Sequence, residues 1–370
     1  MKILHLTTCH KFNDHRIFYK HSFAQRKLKH QVKIYAFDSK TINVDNDVIN
    51  GIKVVLFQSK KSLSKFNRIS RAFKLCNEAI RSKSDLVIIH ELELLLICPI
   101  LRIFGFKNII FDMHEDFPLL FKSRSSNAIF GLIGEKAITL FMKLISFSIK
   151  SKITVNRSIF KKYCNENDLL LPNYPTIHRL PKLEKFDSLI PLKISYIGVI
   201  SSNKGADLFI PIVSELLRLN ICFELHLCGT PRFCKKFSKD EFNKLISIKN
   251  VKFYGEVSFE QTQEVISNTH IGLCFLKDNP HHNIASPTKM FEYAVQKNFI
   301  LYSNNLKLPE LSKNSLGESC RYNANEIIKV IKGLLSKNYE LFMNTNTQNL
   351  SFSSLEEDYD LYLQKFAINS

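Results

Sequence analysis

The stretch ASPTKMFEYAVQK at 285–297 places Lys289 and Glu292 three residues apart, so a helix carries both on one face near its start. Ser286 can cap that helix, Pro287 fits its first position, Met290, Phe291 and Ala294 can pack inward, and Asn298 suits a left-handed turn after about Lys297. Backbone donors at Thr288 and Lys289 would meet phosphate, and the Glu292 carboxylate would accept hydrogen bonds from ribose hydroxyls. The plainer alternative is an exposed Lys289–Glu292 ion pair worth about 0.3 kcal/mol. A second stretch, YIGVISSNKGADLFIPIVSELL at 196–217, has Gly198 ending a strand in a tight turn, Ser202 or Asn203 as a cap, and Leu208, Ile212 and Leu216 at helical spacing. It sets Lys204 at a helix start, where a dipole and a point charge together suit a diphosphate. An exposed lysine on a crossover helix is the other reading.

Carboxylates and histidines cluster at predicted strand ends in the first half. His114, Glu115 and Asp116 follow one strand and place three polar groups at its end, where a ligand could bind, or His114 is satisfied by a backbone carbonyl. His90, Glu91 and Glu93 close the preceding strand and can bind acceptor hydroxyls, although Glu93 can instead cap the next helix. The triplet Asp45–Asn46–Asp47 matches an acidic manganese-binding pattern, but it falls in a predicted loop and such matches are common by chance, so no metal is expected.

These residues need a frame. Strands are expected at Ile3–Leu6, Val32–Ala36, Lys53–Phe57, Leu86–Ile89, Asn108–Phe111 and Ile153–Val155, then at Lys193–Tyr196, Cys222–Leu227, Val251–Tyr254, Ile271–Phe275 and Phe299–Leu301. Helical-period stretches lie between them, the pattern of parallel sheets wound with crossover helices. Prolines 172, 175, 181 and 191 separate the two series. The expected architecture is α/β, with two doubly wound Rossmann-like domains facing a cleft: residues 1–178, a linker at 179–191, residues 192–345, and a C-terminal helix within 346–370 that packs back on the first domain. Such sheets bind ligands beyond the carboxyl ends of their strands.

At 370 residues, 45% apolar and 23% charged, the chain is neither a small binding module nor disordered. Its nine cysteines include no CxxC pair, which speaks against a disulfide framework or structural zinc and for a reducing cytoplasm. No GxGxxG, P-loop or HExxH motif is present. The net charge of +18 is lopsided, with 30 basic against 14 acidic residues in 1–180 and 22 against 20 in 181–370. The first half therefore faces something anionic, whether nucleic acid, a membrane surface or a phosphorylated substrate, unless the excess is a general lysine bias. Lys61, Lys65, Arg68, Arg71 and Lys74 read as the basic side of a helix whose other side holds Phe66, Phe73, Cys76 and Ile80. The apolar stretch 129–149 carries Lys136, Lys143 and Lys150 in a seven-residue stripe and suits the plane of an anionic bilayer, or else is a buried helix of the first domain.

Taken together, the opening ILHLTTCHKFNDHRIFYK with VIIHELELL, FDMHEDFP, ITVNRSIFKKY, LPNYP, YIGVISSNKGADL and SPTKMFEYAVQKNFILYS resembles the retaining glycosyltransferases of family 4, over nearly the whole chain. The resemblance implies the two-domain GT-B fold, with Lys204 on the donor diphosphate, Glu292 on the ribose, His114 near the reacting sugar, and Asn13, Asp14 and Arg16 in the first loop at the cleft. It also implies retention of configuration, with the departing phosphate taking the acceptor proton. Two positions depart from the family pattern: Val199 stands where an arginine is common, and Ile284 where a glutamate is common. Arg16 is expected to supply the lost cation beside Lys204 and Lys289, and His281, His282, Asn283 or backbone donors near Ser286 to meet the donor sugar. The expected partners are a nucleotide-sugar donor, a glycan or lipid-diphosphate-linked acceptor of bacterial surface polysaccharide assembly, and the inner face of an anionic membrane. Competing readings are a sugar-nucleotide 2-epimerase of the same fold and, without any recognisable motif for it, a basic nucleic-acid-binding protein.

Overall fold

The computed structural model describes residues 1–38, 47–58, 65–177, 188–307, 316–336 and 347–367. The chain divides into two units, Met1–Pro172 with Leu355–Ser370, and Asn173–Ser354. It thus enters the second unit ahead of the expected linker, most of which lies outside the described residues, and returns at Leu355.

The first unit is built on one sheet in the order β3-β4-β2-β1-β5-β6-β7-β8. Its strands are β1 (Lys2–Leu6), β2 (Gln31–Asp38), β3 (Asp47–Ile49), β4 (Ile52–Gln58), β5 (Leu86–Ile89), β6 (Ile109–Met113), β7 (Ser151–Thr154) and β8 (Leu169–Leu170). All pair in parallel except β3, which runs antiparallel to β4 and contains the last residue of the Asp45–Asp47 triplet. The other two residues of that triplet lie outside the described set. Strand β5, Leu-Val-Ile-Ile, is buried on both faces, as a central parallel strand requires. An eight-residue π-helical turn, His15–Ser22, continues into α1 (Phe23–Lys27) and packs Ile17 and Phe18 against Val32, Ile34 and Val54. Helices α2 (Lys65–Ser82), α3 (Cys98–Ile103), α4 (Phe117–Arg124), α5 (Ala128–Ile145) and α6 (Arg157–Tyr163) follow.

The second unit repeats the plan with β9 (Leu192–Ile197), β11 (Phe223–Cys228), β13 (Val251–Gly255), β14 (Ile271–Cys274), β15 (Phe299–Ser303) and β16 (Gly317–Cys320) in the order β13-β11-β9-β14-β15-β16. Short strands β10 (Ile200–Ser201) and β12 (Pro231–Arg232) pair beside it. Its helices are α7 (Phe209–Arg218), α8 (Lys239–Ile246), α9 (Phe259–Ser267), α10 (Pro280–Asn283), α11 (Thr288–Val295) and α12 (Ala324–Leu335). The expected repeat Leu208, Ile212 and Leu216 packs into the core with Tyr196, Leu225 and Leu273. The final helix, α13 (Glu356–Ala367), belongs to the first unit, where Tyr362 Oη donates to Ser151 Oγ at 2.7 Å.

In each sheet the chain winds outward from the first strand and then returns to its other side, so strand order reverses between β1 and β5 and again between β9 and β14. Loops leaving those strands part in opposite directions and leave a crevice at their carboxyl ends.

Candidate functional site

In the second unit the crevice begins at Gly198, φ +100°, directly after β9. A β-carbon there would meet nothing within 4 Å, so the turn opens onto space. Its neighbour Gly229, φ +137°, is pressed so close that a β-carbon would come within 1.9 Å of the Gly198 carbonyl oxygen. Only glycine allows the two strand ends to meet in this way.

Lys204 does not start the following helix, as its spacing suggested. It ends a short 3-10 turn, Ser202–Lys204, that Gly205 closes in a left-handed conformation with φ 91°, and α7 begins only at Phe209. Neither Ser202 nor Asn203 caps a helix. Instead Lys277, just beyond β14, pins the turn: its backbone N donates to Asn203 O at 3.1 Å, and its Nζ donates to Ser202 Oγ and pairs with Asp207 at 2.7 Å. Sequence reasoning passed over Lys277, whose one signal is its place at the reversal of strand order.

Helix α11 starts at Thr288, with Pro287 at the cap position and no side chain capping it. Ser286 therefore stands outside the helix rather than capping it, and Lys297, φ +55°, takes the left-handed turn expected of Asn298. Asn298 instead donates to Ile266 O at 3.2 Å and to Thr269 Oγ1 at 2.9 Å. The first amides of an uncapped helix lack intrahelical acceptors and remain available to an anion. Met290, Phe291 and Ala294 are buried as their spacing suggested. Tyr293 fixes the helix to the sheet, since Ile197 N donates to its Oη at 3.1 Å beside Gly198.

Lys289 turns inward. Its Nζ lies 3.7 Å from the centre of the Tyr196 ring, is buried, and has no hydrogen-bond partner among the described residues. Burial of the charge, with the Lys204 charge acting in the same direction, brings its pKa down to about 8. The exposed Lys289–Glu292 ion pair considered from sequence is thus not what forms, and Glu292 is itself buried. Because Tyr196 lies two residues before Gly198 and Lys204 acts on Lys289, the two stretches expected from sequence to bind phosphate meet at one sheet end. His282 and Asn283, proposed for the donor sugar, are engaged within their own loop: His282 Nδ1 lies 2.7 Å from Lys277 O, and Asn283 donates to Asp278 at 2.8 Å.

In the first unit the reversal of strand order gathers Thr7 and Thr8 after β1, His90 and Glu91 after β5, and His114 after β6. Glu91 is buried and accepts from Thr7 Oγ1, from Thr8 N at 3.1 Å and from Cys9 N at 3.3 Å, so it holds the first loop rather than presenting itself to an acceptor. Glu93 accepts from Thr8 Oγ1 and from Arg68 Nε at 2.6 Å. Asp14 caps the π-helical turn through Arg16 N and Ile17 N. Asn13 lies in the loop before it. Burial alone would lower the pKa of His10, yet the hydrogen bond with Asp14 and the nearby Glu91 carry it up to about 9.

Arg16 is not an open cation for a donor phosphate. It is buried and forks onto Asp112, with Nε 3.1 and 3.0 Å from the two carboxylate oxygens and Nη2 2.7 Å from Oδ1. His90 is buried too, with Nδ1 3.2 Å from Asp112 Oδ2. His114 remains partly exposed, with Nε2 2.7 Å from the same oxygen, and so faces a carboxylate rather than a backbone carbonyl. Although burial opposes it, the Arg16 charge holds Asp112 well below the usual carboxylate range. Two groups, Cys9/His10/Glu91 and His90/Asp112/His114, bring potential metal-ligand atoms within 4.8 Å of one another. Protein donors already occupy the oxygens of Glu91 and Asp112 in both.

No protein-family model and no curated protein matches the sequence. Solved structures do match. Sucrose-phosphate synthase from Thermosynechococcus elongatus aligns over 100% of both chains with a TM-score of 0.70 at 12% identity. Anabaena Alr3699/HepE in complex with UDP and glucose aligns over 98% of this chain and 99% of its own, with a TM-score of 0.69 at 11% identity. The lipopolysaccharide outer core galactosyltransferase WaaB aligns over 99% of both, with a TM-score of 0.58 at 15% identity. The chain has the GT-B fold shared by these glycosyltransferases.

Proposed function

We propose that this chain is a glycosyltransferase that moves a sugar from a nucleotide-diphospho-sugar to a glycan or lipid-diphosphate-linked acceptor with retention of configuration. The observation that carries the reading is the buried Lys289 ammonium with no hydrogen-bond partner, set beside an uncapped helix start and the Gly198 turn. A buried cation without a partner costs stability, and a diphosphate supplies the missing partner. Lys204 adds charge from the next loop, and Glu292 is placed one turn along α11 to receive the ribose. As the sugar leaves, negative charge grows on the diphosphate, and fixed cations and amides aimed there lower the barrier. The departing phosphate then takes the proton of the attacking hydroxyl, so neither a dedicated protein base nor a metal ion is required. The neighbour bound to UDP and glucose makes UDP the first nucleotide to try.

A lipid-linked acceptor, and a place on the inner membrane surface, rest on α5. Among its described residues only Gly131 and Met142 are buried, which removes the reading of this segment as a core helix. Ile129, Ile133, Leu140 and Leu144 are 57–71% exposed along one face, Phe147 extends that face, and Ile103 and Phe104 at the end of α3 are exposed as well. At 100° per residue Lys136 and Lys143 line the edge of this face, the arrangement of a helix lying in an anionic interface. Helix α4 connects it to the site, starting three residues after His114 with Asp116 as its cap. No helix among the described residues is long and apolar enough to cross a membrane. A role in surface-polysaccharide assembly follows from such an acceptor.

Incubation with UDP-sugars, with and without lipid-diphosphate glycans in EDTA-containing buffer, tests this reading. UDP release that depends on acceptor, giving a product with the anomeric configuration of the donor, is expected. A sugar changed at C2 without acceptor would establish the epimerase instead, and activity restored only by manganese would overturn the metal-free course.

A further inference from the structure

Asp112 anchors a closed circuit of buried side chains in the first unit. From Asp112 Oδ2 the contacts run to His90 Nδ1 at 3.2 Å, from His90 Nε2 to His5 Nδ1 at 3.0 Å, and from His5 Nε2 to Gln25 Oε1 at 2.8 Å. They continue from Gln25 Nε2 to Tyr359 Oη at 2.7 Å and from there to His21 Nδ1 at 2.6 Å. His21 Nε2 closes the loop 3.2 Å from Asp112 Oδ2, without the alignment of a full hydrogen bond. Tyr359 reaches this circuit from α13, some 340 residues along the chain from its partners.

The protons in this circuit can be counted. Burial holds His5 and His90 near pKa 3 and His21 near 4, so each is neutral and carries one N–H. With one proton from Tyr359 and one from the Gln25 amide, five protons serve six links. Gln25 sets their direction, since its oxygen faces His5 and its NH2 faces Tyr359. His5 therefore donates from Nε2 and accepts at Nδ1, so His90 donates from Nε2. On the other branch Tyr359 Oη, which accepts from Gln25, can donate to His21 Nδ1, and His21 then carries its proton on Nε2, 3.2 Å from Asp112. The link without a proton is His90 Nδ1 to Asp112 Oδ2, two lone pairs 3.2 Å apart. His114 Nε2 lies beside that gap, 2.7 Å from the oxygen and 3.4 Å from the nitrogen. An N–H at that position satisfies both.

We propose that this circuit fixes His114 as the Nε2–H tautomer, leaving Nδ1 as a hydrogen-bond acceptor for a hydroxyl of the bound sugar or acceptor. Tyr359, His21, His5 and His90 are then positioning residues that act through His114. Only the identity of what meets Nδ1 rests on the glycosyl-transfer reading.

Two-bond 1H–15N correlation spectra of the full chain at pH 8, with His114 assigned by comparison with His114→Gln, read the tautomer without substrate. The expected pattern is a pyrrole-type Nε2 and a pyridine-type Nδ1, and a protonated Nδ1 as the main form, alone or in an imidazolium, would overturn the proposal. In Tyr359→Phe, which removes one proton from the circuit, the Nδ1–H tautomer of His114 should become detectable and turnover should fall roughly tenfold with little change in donor KM. An unchanged His114 spectrum in a folded Tyr359→Phe protein would contradict the circuit, and if that variant fails to fold, the wild-type spectrum decides alone. Failure of sugar transfer with the Nε2–H tautomer in place would count against the transfer reading and leave the circuit standing.

Discussion

Lys289 is where stability and binding pull apart. Its pKa in the folded chain, about 8, is below that of a lysine in unfolded chain, so between those values the unfolded state holds more protons. Stability therefore rises as pH climbs through that window, and the penalty is complete below about pH 8. Lys289→Met keeps the apolar stem over Tyr196 and removes the charge, and should stabilise the protein at pH 7 by about 1 kcal/mol in chemical denaturation while abolishing nucleotide-sugar binding. A destabilised Lys289→Met protein would show that the ammonium already has a partner. A bound diphosphate should also raise the lysine pKa, so binding at pH 9 should take up protons, which titration calorimetry in buffers of different ionisation enthalpy measures. Sequence placed Lys289 and Glu292 on a common helix start because residue type and spacing are local properties. It did not show that Lys289 turns inward, because that depends on Tyr196, 93 positions away on another strand. Nor did it show that Arg16 is consumed, since its partner Asp112 lies 96 residues further on.

Among the elements, the central strands were legible and, β13 apart, the edges were not. β5, β14 and β15 are mostly apolar runs buried on both faces, whereas β16, Gly-Glu-Ser-Cys, has no apolar pattern and joins the sheet through backbone pairing to β15. Helix α2 carries the basic, amphipathic character expected of it, with Lys74 exposed and Cys76 buried as its spacing suggested but with Arg71 and two phenylalanines exchanged. Arg71 is buried and donates to Thr8 O at 2.8 Å, while Phe66 and Phe73 are 86% and 46% exposed. A buried carbonyl needs a donor, and Arg71 meets that need where a phenylalanine would not. Lys61 lies outside the described residues. For α5 the stripe of lysines was visible in sequence, but only the packing, with so few side chains turned inward, shows that its apolar face is left open. Replacing Ile133, Leu140 and Leu144 together by Ser should cost little stability and should reduce sedimentation with anionic liposomes at low salt by more than tenfold. Equal binding by wild type and variant would remove the membrane surface from the account, and binding indifferent to salt would remove the role of the lysines.

At the scale of the whole molecule, the alternation of short apolar runs with helical periods gave away both sheets, and a cluster of prolines marked the change from one to the next. The boundary between the units falls at the first of those prolines, Pro172. The second begins at Asn173, and the last helix returns to the first to deliver Tyr359 and Tyr362. In the proposed membrane reading, the charge excess of the first half acts at α5, next to exposed Ile, Leu and Phe side chains.

In the proposed function the helix start at Thr288–Glu292 and the turn at Gly198–Lys204 grip one nucleotide-diphospho-sugar. A thermal-shift series of UDP, GDP and dTDP sugars against the wild-type chain and Glu292→Ala tests it most directly, because a ligand that binds only the native state raises stability by RT ln(1 + [L]/Kd). At least one nucleotide-sugar should raise the wild-type melting temperature with increasing concentration, and Glu292→Ala should lose that shift while melting near the wild type without ligand. No shift from any nucleotide-sugar, or one that Glu292→Ala retains in full, would contradict the account.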